Sequence, residues 1–163
     1  MSPRIAAHLC KVGVHFDLVS HAHTRNSKQS AAAAQLPLEK IAKAIIVCDE
    51  DRYRMCVIPA HHRLMLDRVN THMHSHYRLA TEEELASLFD DCEVGAVPAL
   101  GQVYGMPVSW DEELNDTQDI YIESGDHEHL IHLNHGAFLE LMGGQDHFQM
   151  SCPEDDHLSW MIH

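Results

Sequence analysis

The sequence predicts one mixed α/β domain. Three observations carry that reading. Helical and strand periodicities alternate along the chain, 163 residues suit a single compact unit, and no internal repeat or linker interrupts it. Ile5, Leu9 and Val12 recur at helical spacing, so residues 3–12 read as an amphipathic helix that Gly13 ends. His15 to Ser20 alternates as a strand. Asn26 or Ser27 can cap the Ala-rich helix that follows, to about Gln35, and Leu36-Pro37 breaks it. A turn of helix over Leu38 to Ala42 leads into Ala44 to Cys48. That run is apolar on both faces and reads as a buried strand. After the polar turn Asp49-Glu50-Asp51, Tyr53 to Ile58 returns as the second arm of a hairpin.

Residues 61–70 read as a helix, with Leu64 and Arg68 a turn apart. Thr81 and Glu84 form a capping-box pattern and open a helix with Leu85, Leu88 and Phe89 on one face. Gly95 to Gly101 is a small-residue loop. Val103 to Trp110, Asp119 to Glu123 and Leu130 to Leu133 read as strands. Asn134 caps a last helix carrying Phe138, Leu141 and Met142, and Gly143-Gly144 ends it. Beyond it the chain is polar and is expected to be loosely held.

Composition narrows the class. Hydrophobic residues make up 45%, enough to bury a core without disulfides or metal. No apolar run reaches the ~20 residues that span a bilayer. Residues 1–11 carry no signal-peptide pattern, so no membrane association is expected. Five scattered cysteines and no CxxC pair suit reduced thiols in a cytoplasm. The net charge is -14, but all 11 Lys and Arg lie between Arg4 and Arg78. That half can present a basic surface, and a salt-sensitive phosphate contact fits it. A role in solubility alone fits equally.

Seven segments occur in a recognisable order: His21-Ala22-His23-Thr24, the Ala-rich helix, Ile41-Ala42-Lys43-Ala44-Ile45-Ile46-Val47, Val57-Ile58-Pro59-Ala60, Leu79-Ala80-Thr81-Glu82-Glu83-Glu84, Gly95-Ala96-Val97-Pro98-Ala99-Leu100-Gly101 and Ser124-Gly125-Asp126-His127. Together they resemble the YbaK/prolyl-tRNA-synthetase-associated editing family over about residues 5–142. The resemblance implies a mixed, mostly antiparallel, barrel-like sheet with surrounding helices. It implies a deacylase domain over residues 1–142 and a polar tail over 143–163. It further implies hydrolysis of the ester that joins a wrong amino acid to the terminal ribose of tRNA. Family members act on Ala-, Cys-, Ser- or Thr-charged tRNAs, and a small amino acid on tRNA(Pro) is the leading substrate. By the same resemblance Lys43 is the central lysine, Gly95 and Pro98 belong to the glycine-to-proline loop, and His127 matches a histidine of some subgroups. Asp111 falls where relatives often place an acid. The loop here is GxxP, one residue shorter than the GxxxP of some relatives.

The residue types suit that chemistry. An aminoacyl ester is already activated, so water can attack if the oxyanion finds donors. Backbone N–H groups of a Gly/Ala loop can supply them, and Gly95 to Gly101 is the candidate. Lys43 can act as a point charge toward phosphate, ribose or ester. His127 can position or deprotonate water, although a surface histidine reads equally well. His21, Pro98, Gly101, Gly125 and Asp126 are candidate substrate-binding residues. Arg25, Lys28 and Lys40 are candidate phosphate contacts. The expected partners are the acceptor end of mischarged tRNA and an aminoacyl-tRNA synthetase. Asp111 reads as a cap for the turn at Glu112 to Asn115.

Two other classes stay open. A tRNA- or synthetase-binding module would keep the fold without turnover. A metal-dependent hydrolase could use the runs His72, His74, His76 or His127, His129, His132, His135. HExxH and a cysteine quartet are both absent, so neither a catalytic metal nor a cofactor is expected. GxSxG is absent too, which leaves no serine-nucleophile motif.

Overall fold

The computed structural model describes residues 1–154. Helix α1 (Pro3–Val12) begins at the Ser2 cap, whose hydroxyl accepts from Ile5 N–H, and Gly13 ends it in the left-handed conformation. Ile5 and Leu9 are fully buried, whereas Val12 faces solvent, so the apolar stripe is narrower than its spacing suggests. Strand β1 (Asp17–Ser20) precedes α2 (Ser27–Ala33), which Asn26 caps by accepting from Gln29 N–H. A 3-10 turn at Leu38–Lys40 then delivers the chain into β2 (Ile41–Asp49). The strand therefore starts three residues earlier than Ala44, and Lys43 lies inside it.

The turn Glu50-Asp51 folds β2 back onto β3 (Arg52–Pro59), with Asp49 opposite Arg52 and Ala42 opposite Pro59. The expected hairpin is thus present. The helix expected over residues 61–70 is replaced by β4 (His62–Leu64) and then α3 (Leu66–Met73). Strand β4 exists because β10 (Ser151–Pro153), far along the chain, pairs with it. Strand β5 (Arg78–Leu79) and α4 (Glu82–Leu88) follow, and the Thr81/Glu84 capping box is formed in both directions.

After the Gly95 loop comes a 3-10 turn at Gly101–Tyr104, and only then β6 (Val108–Asp111). The single strand expected over Val103 to Trp110 is split because Gly105 adopts φ +75° and Pro107 brings a fixed φ and no N–H. A second 3-10 turn at Glu112–Asp116 leads to β7 (Asp119–Glu123), β8 (His129–Asn134) and α5 (His135–Met142).

The chain beyond Gly143, expected as a loose tail, carries β9 (Asp146–Phe148) and β10. Three contacts hold it. His147 stacks on Trp110, Met150 is fully buried, and Asp111 accepts from Met150 N–H and the Ser151 hydroxyl. The rest of the expected tail, 155–163, lies outside the described residues.

The main sheet runs β1-β8-β7-β2-β3-β6-β9, with β5 also on β2. Parallel pairing joins β2 to β7, β3 to β6 and β6 to β9, and the other four ladders are antiparallel. This is a mixed sheet with helices around it, the expected α/β class. Alternation along β2 divides its faces. Ala42, Ala44 and Ile46 join the main core of α1, β6, β7 and α5. Ile41 joins one satellite cluster and Ile45 and Val47 another. Lys43 shares that second face, so its stem emerges between two apolar clusters.

Candidate active site

Lys43 opens into a cavity of about 390 Å³ at the β2–β3 end of the sheet. Lys28, His61, Gly95, Val97 and Glu154 are among its walls. Among the described residues the Lys43 ammonium makes no hydrogen bond or ion pair within 4.0 Å. Burial pushes its ammonium below the ordinary lysine value, and the Glu154 carboxylate pulls the other way. The result is a partly desolvated cation that no described residue hydrogen-bonds.

The Gly95 loop faces it. Gly95 has φ +84°, and a Cβ there would lie 2.5 Å from the Arg25 carbonyl oxygen. Only glycine fits that approach. Ala96 N–H turns back to Glu93 O. Among the described residues the Gly95 and Val97 N–H groups make no hydrogen bond. Both residues line the cavity. Two free amides and a cation around one space can bind an anionic or carbonyl oxygen.

His127 stands behind this loop. It is buried, with φ +59°, and its Nε2 donates to Val94 O at 2.6 Å. A carbonyl only accepts, so Nε2 carries the proton and Nδ1 holds a lone pair, buried without a partner. The His127 carbonyl accepts from Thr24 N–H and the Thr24 hydroxyl, which ties the 21–24 segment to the 124–127 loop. The histidine thus braces the Gly95 turn.

The other expected site residues divide. Lys28 reaches the cavity, Arg25 is exposed and touches Gly95 through its carbonyl, and Lys40 ends the 3-10 turn three residues before Lys43. His21 bonds Ala22 O through Nδ1, and its Nε2 is buried without a partner. Pro98 is buried, and Gly101 is enclosed by Met55, Met106 and Val108. Gly125 packs on Ser2 and Cys92. Asp126 accepts from the N-terminal ammonium, Ser124, the Glu128 and His129 N–H groups and the His129 ring. Burial opposes its ionisation, but these donors win and hold the carboxyl well below the usual carboxylate range. None of these five lines the cavity.

Sequence reasoning missed His61 and Glu154. The hairpin register was the available signal for His61. A two-residue turn at Glu50-Asp51 carries Ala42 to Pro59 and so brings His61 past the Lys43 end.

The two histidine runs do not converge. His72 stacks on Phe148 and pairs Asp146, His129 pairs Asp126, His132 bridges Asp17 and Asp119, and His135 meets Asn115. Among the described residues the one group placed to hold a metal ion is His61, His62 and Glu113. Burial pushes the His62 imidazole down, against the pull of Glu113. Asp111 caps the turn that carries Glu113, as expected.

This fold and this cavity define an aminoacyl-tRNA editing domain: the family model matches residues 21–141, and the chain belongs to that family. Two solved structures share the fold. One, the hypothetical protein APE2540, superposes with a TM-score of 0.81 at 22% identity, over 91% of this chain and 99% of its own. The other, provisionally named a trans-editing enzyme for prolyl tRNA synthetase, gives 0.80 at 24% identity, over 93% and 99%. No curated protein matches the sequence. Among the described residues no helix is long and apolar enough to cross a membrane.

Proposed function

We propose that the protein is a trans-acting deacylase that hydrolyses the ester of mischarged aminoacyl-tRNA in the cytoplasm, with a small amino acid on tRNA(Pro) as the leading substrate. One observation carries the reading: Lys43, an unpaired and partly desolvated ammonium, shares a cavity with the free Gly95 and Val97 amides. Water attacks the ester carbonyl carbon. The amides donate to the oxyanion that forms, the bond to the ribose oxygen breaks, and that oxygen leaves with a proton. Lys43 steers the ester and the terminal phosphate by charge. The reaction needs neither a cofactor nor a catalytic metal.

His127 acts as a positioning residue, because its proton is committed to Val94 O and its free nitrogen is buried. Gly125, Asp126, Pro98, Gly101 and His21 shape the frame behind the loop. Arg25, Lys28 and Lys40 give the acceptor stem a basic approach, and a synthetase that mischarges the tRNA is the natural partner.

The test is release of amino acid from a panel of mischarged tRNAs by tag-free protein, with and without chelator. Release that chelator leaves intact supports the proposal. Failure against Ala-, Cys-, Ser- and Thr-charged tRNAs alike overturns it, and tRNA binding without release points to a non-catalytic module.

A further inference from the structure

A second constellation lies on the far side of His61. His62 is buried, and its Nδ1 lies 2.8 Å from the Ser151 hydroxyl. That hydroxyl gives its own proton to Asp111 Oδ2 at 2.6 Å. Ser151 is therefore the acceptor from His62 and Nδ1 carries a proton, so in the neutral ring it is Nε2 that presents a lone pair. Nε2 lies 2.7 Å from Glu113 Oε2, which is also an acceptor. The contact lacks hydrogen-bond alignment, and Nε2 has no hydrogen-bond partner. Two electron-rich atoms held this close call for a positive charge between them, either a second ring proton or a metal ion. His61 packs edge-on against His62 at 4.3 Å, and its own Nδ1 is buried without a partner.

We propose that His61, His62 and Glu113 bind one divalent transition-metal ion of the zinc type, as a clasp separate from the Lys43 chemistry. The donor set is two imidazoles and a carboxylate, which suits zinc and disfavours calcium or magnesium. One ligand atom from each residue lies within 4.8 Å of the others. Bonds of ~2.0–2.2 Å in a tetrahedron space ligand atoms about 3.3 Å apart, so the trio closes by roughly 1.5 Å at its widest and opens slightly at His62–Glu113. The Glu113 side chain is 54% exposed and can make that move. Water completes the coordination from a neighbouring cavity of about 290 Å³, lined by His62, Asp111, Glu113 and Ser151.

The surrounding shell is already built. Asp111 Oδ1 accepts from Glu113 N–H and so aims the turn that carries the carboxylate. Asp111 Oδ2, through Ser151, fixes the tautomer that a His62 Nε2 ligand requires. The ion would join the β3–β4 turn to the Glu112–Asp116 turn, which Asp111 already ties to the β10 segment. Because His61 also lines the Lys43 cavity, the clasp would set one cavity wall.

The test is zinc titration of tag-free, chelator-stripped protein against a competing chromophoric chelator, with cobalt(II) absorption as a second readout. One saturable ion per chain, with a raised Tm and a cobalt band from nitrogen and oxygen ligands, is expected. Glu113→Gln and His62→Asn should each weaken it about tenfold or more, and the triple variant H72A/H74A/H76A should bind as wild type. No saturable binding, or equal binding after Glu113→Gln, overturns the proposal and leaves a shared proton or surface histidines as the explanation. Amino-acid release in the absence of zinc bears on the editing reading alone, so the two proposals fail separately.

Discussion

The Gly95 loop and the Ser124–His127 loop each turn on a glycine with positive φ, +84° and +107°, and they lie against each other. Their polar groups are used in opposite ways. Asp126 accepts donors from five groups, and Gly125 O takes Glu93 N–H. In the Gly95 loop the Gly95 and Val97 amides make no hydrogen bond among the described residues, and both residues line the cavity of a lysine whose ammonium makes none there either. Internal bonds stabilise a fold, and groups kept out of them are available to a ligand. Both loops belong to the segments that carry the family resemblance, but only the Gly95 loop lines the Lys43 cavity. The other is its frame.

The largest effect that tests this contrast is at the hinge of the Gly95 loop. Gly95→Ala forces a Cβ to 2.5 Å from Arg25 O at a left-handed φ. It should cost ~1–3 kcal/mol of stability from strain, read by denaturant melts, and should abolish deacylation. Asp126→Ala comes next. It should lower stability by ~1–3 kcal/mol through its orphaned donors while leaving KM nearly unchanged. The sign with pH is defined. The Asp126 carboxyl is held below its unfolded value, so its stabilisation is present above that value and is lost as pH falls from there through the lower folded value. Asp126→Asn should therefore flatten the acid limb of a Tm–pH curve.

His127→Gln is a subtler probe. It should slow turnover by loosening the loop, yet the pH–rate profile should keep its shape. Loss of a limb near neutral pH would instead make His127 a general base. The smallest effect concerns Glu123, buried behind the same frame. Burial pushes its carboxyl up to about 7, against the Ser30 hydroxyl and His21. An acid raised in the fold stabilises below its unfolded pKa of ~4.5, and that contribution is lost as pH rises to about 7. Glu123→Gln should raise Tm at pH 8 and change little at pH 4.

Much of this was readable in the residues. Caps at Asn26, Thr81 and Asn134 and the Glu50-Asp51 turn are local signals, and the structure uses the elements they open. The misread helix over 61–70 and the misread tail share one cause. β4 and β10 pair across nearly ninety positions, and β9 joins β6 in parallel, so neither leaves a local period. A three-residue strand such as His62–Leu64 looks helical in a window that also holds Leu66–Met73. In the candidate site, order along the chain pointed to Lys43 and Gly95, but spacing cannot tell a lining residue from a brace. Pro98, Gly101 and Asp126 belong to the same ordered segments as Gly95, yet only Gly95 lines the cavity. His61, His62 and Glu113 meet through the same long-range pairing, which is why no motif announces them.

The central claim is that Lys43 acts on the ester from a cavity it shares with two free amides. The most direct measurement is the single-turnover rate of amino-acid release from mischarged tRNA(Pro), wild type beside Lys43→Ala, with Tm recorded for both. The account predicts a fall of ~10²–10³-fold, as for loss of one preorganised electrostatic group, with no loss of Tm. A variant that releases amino acid as fast as wild type would contradict it.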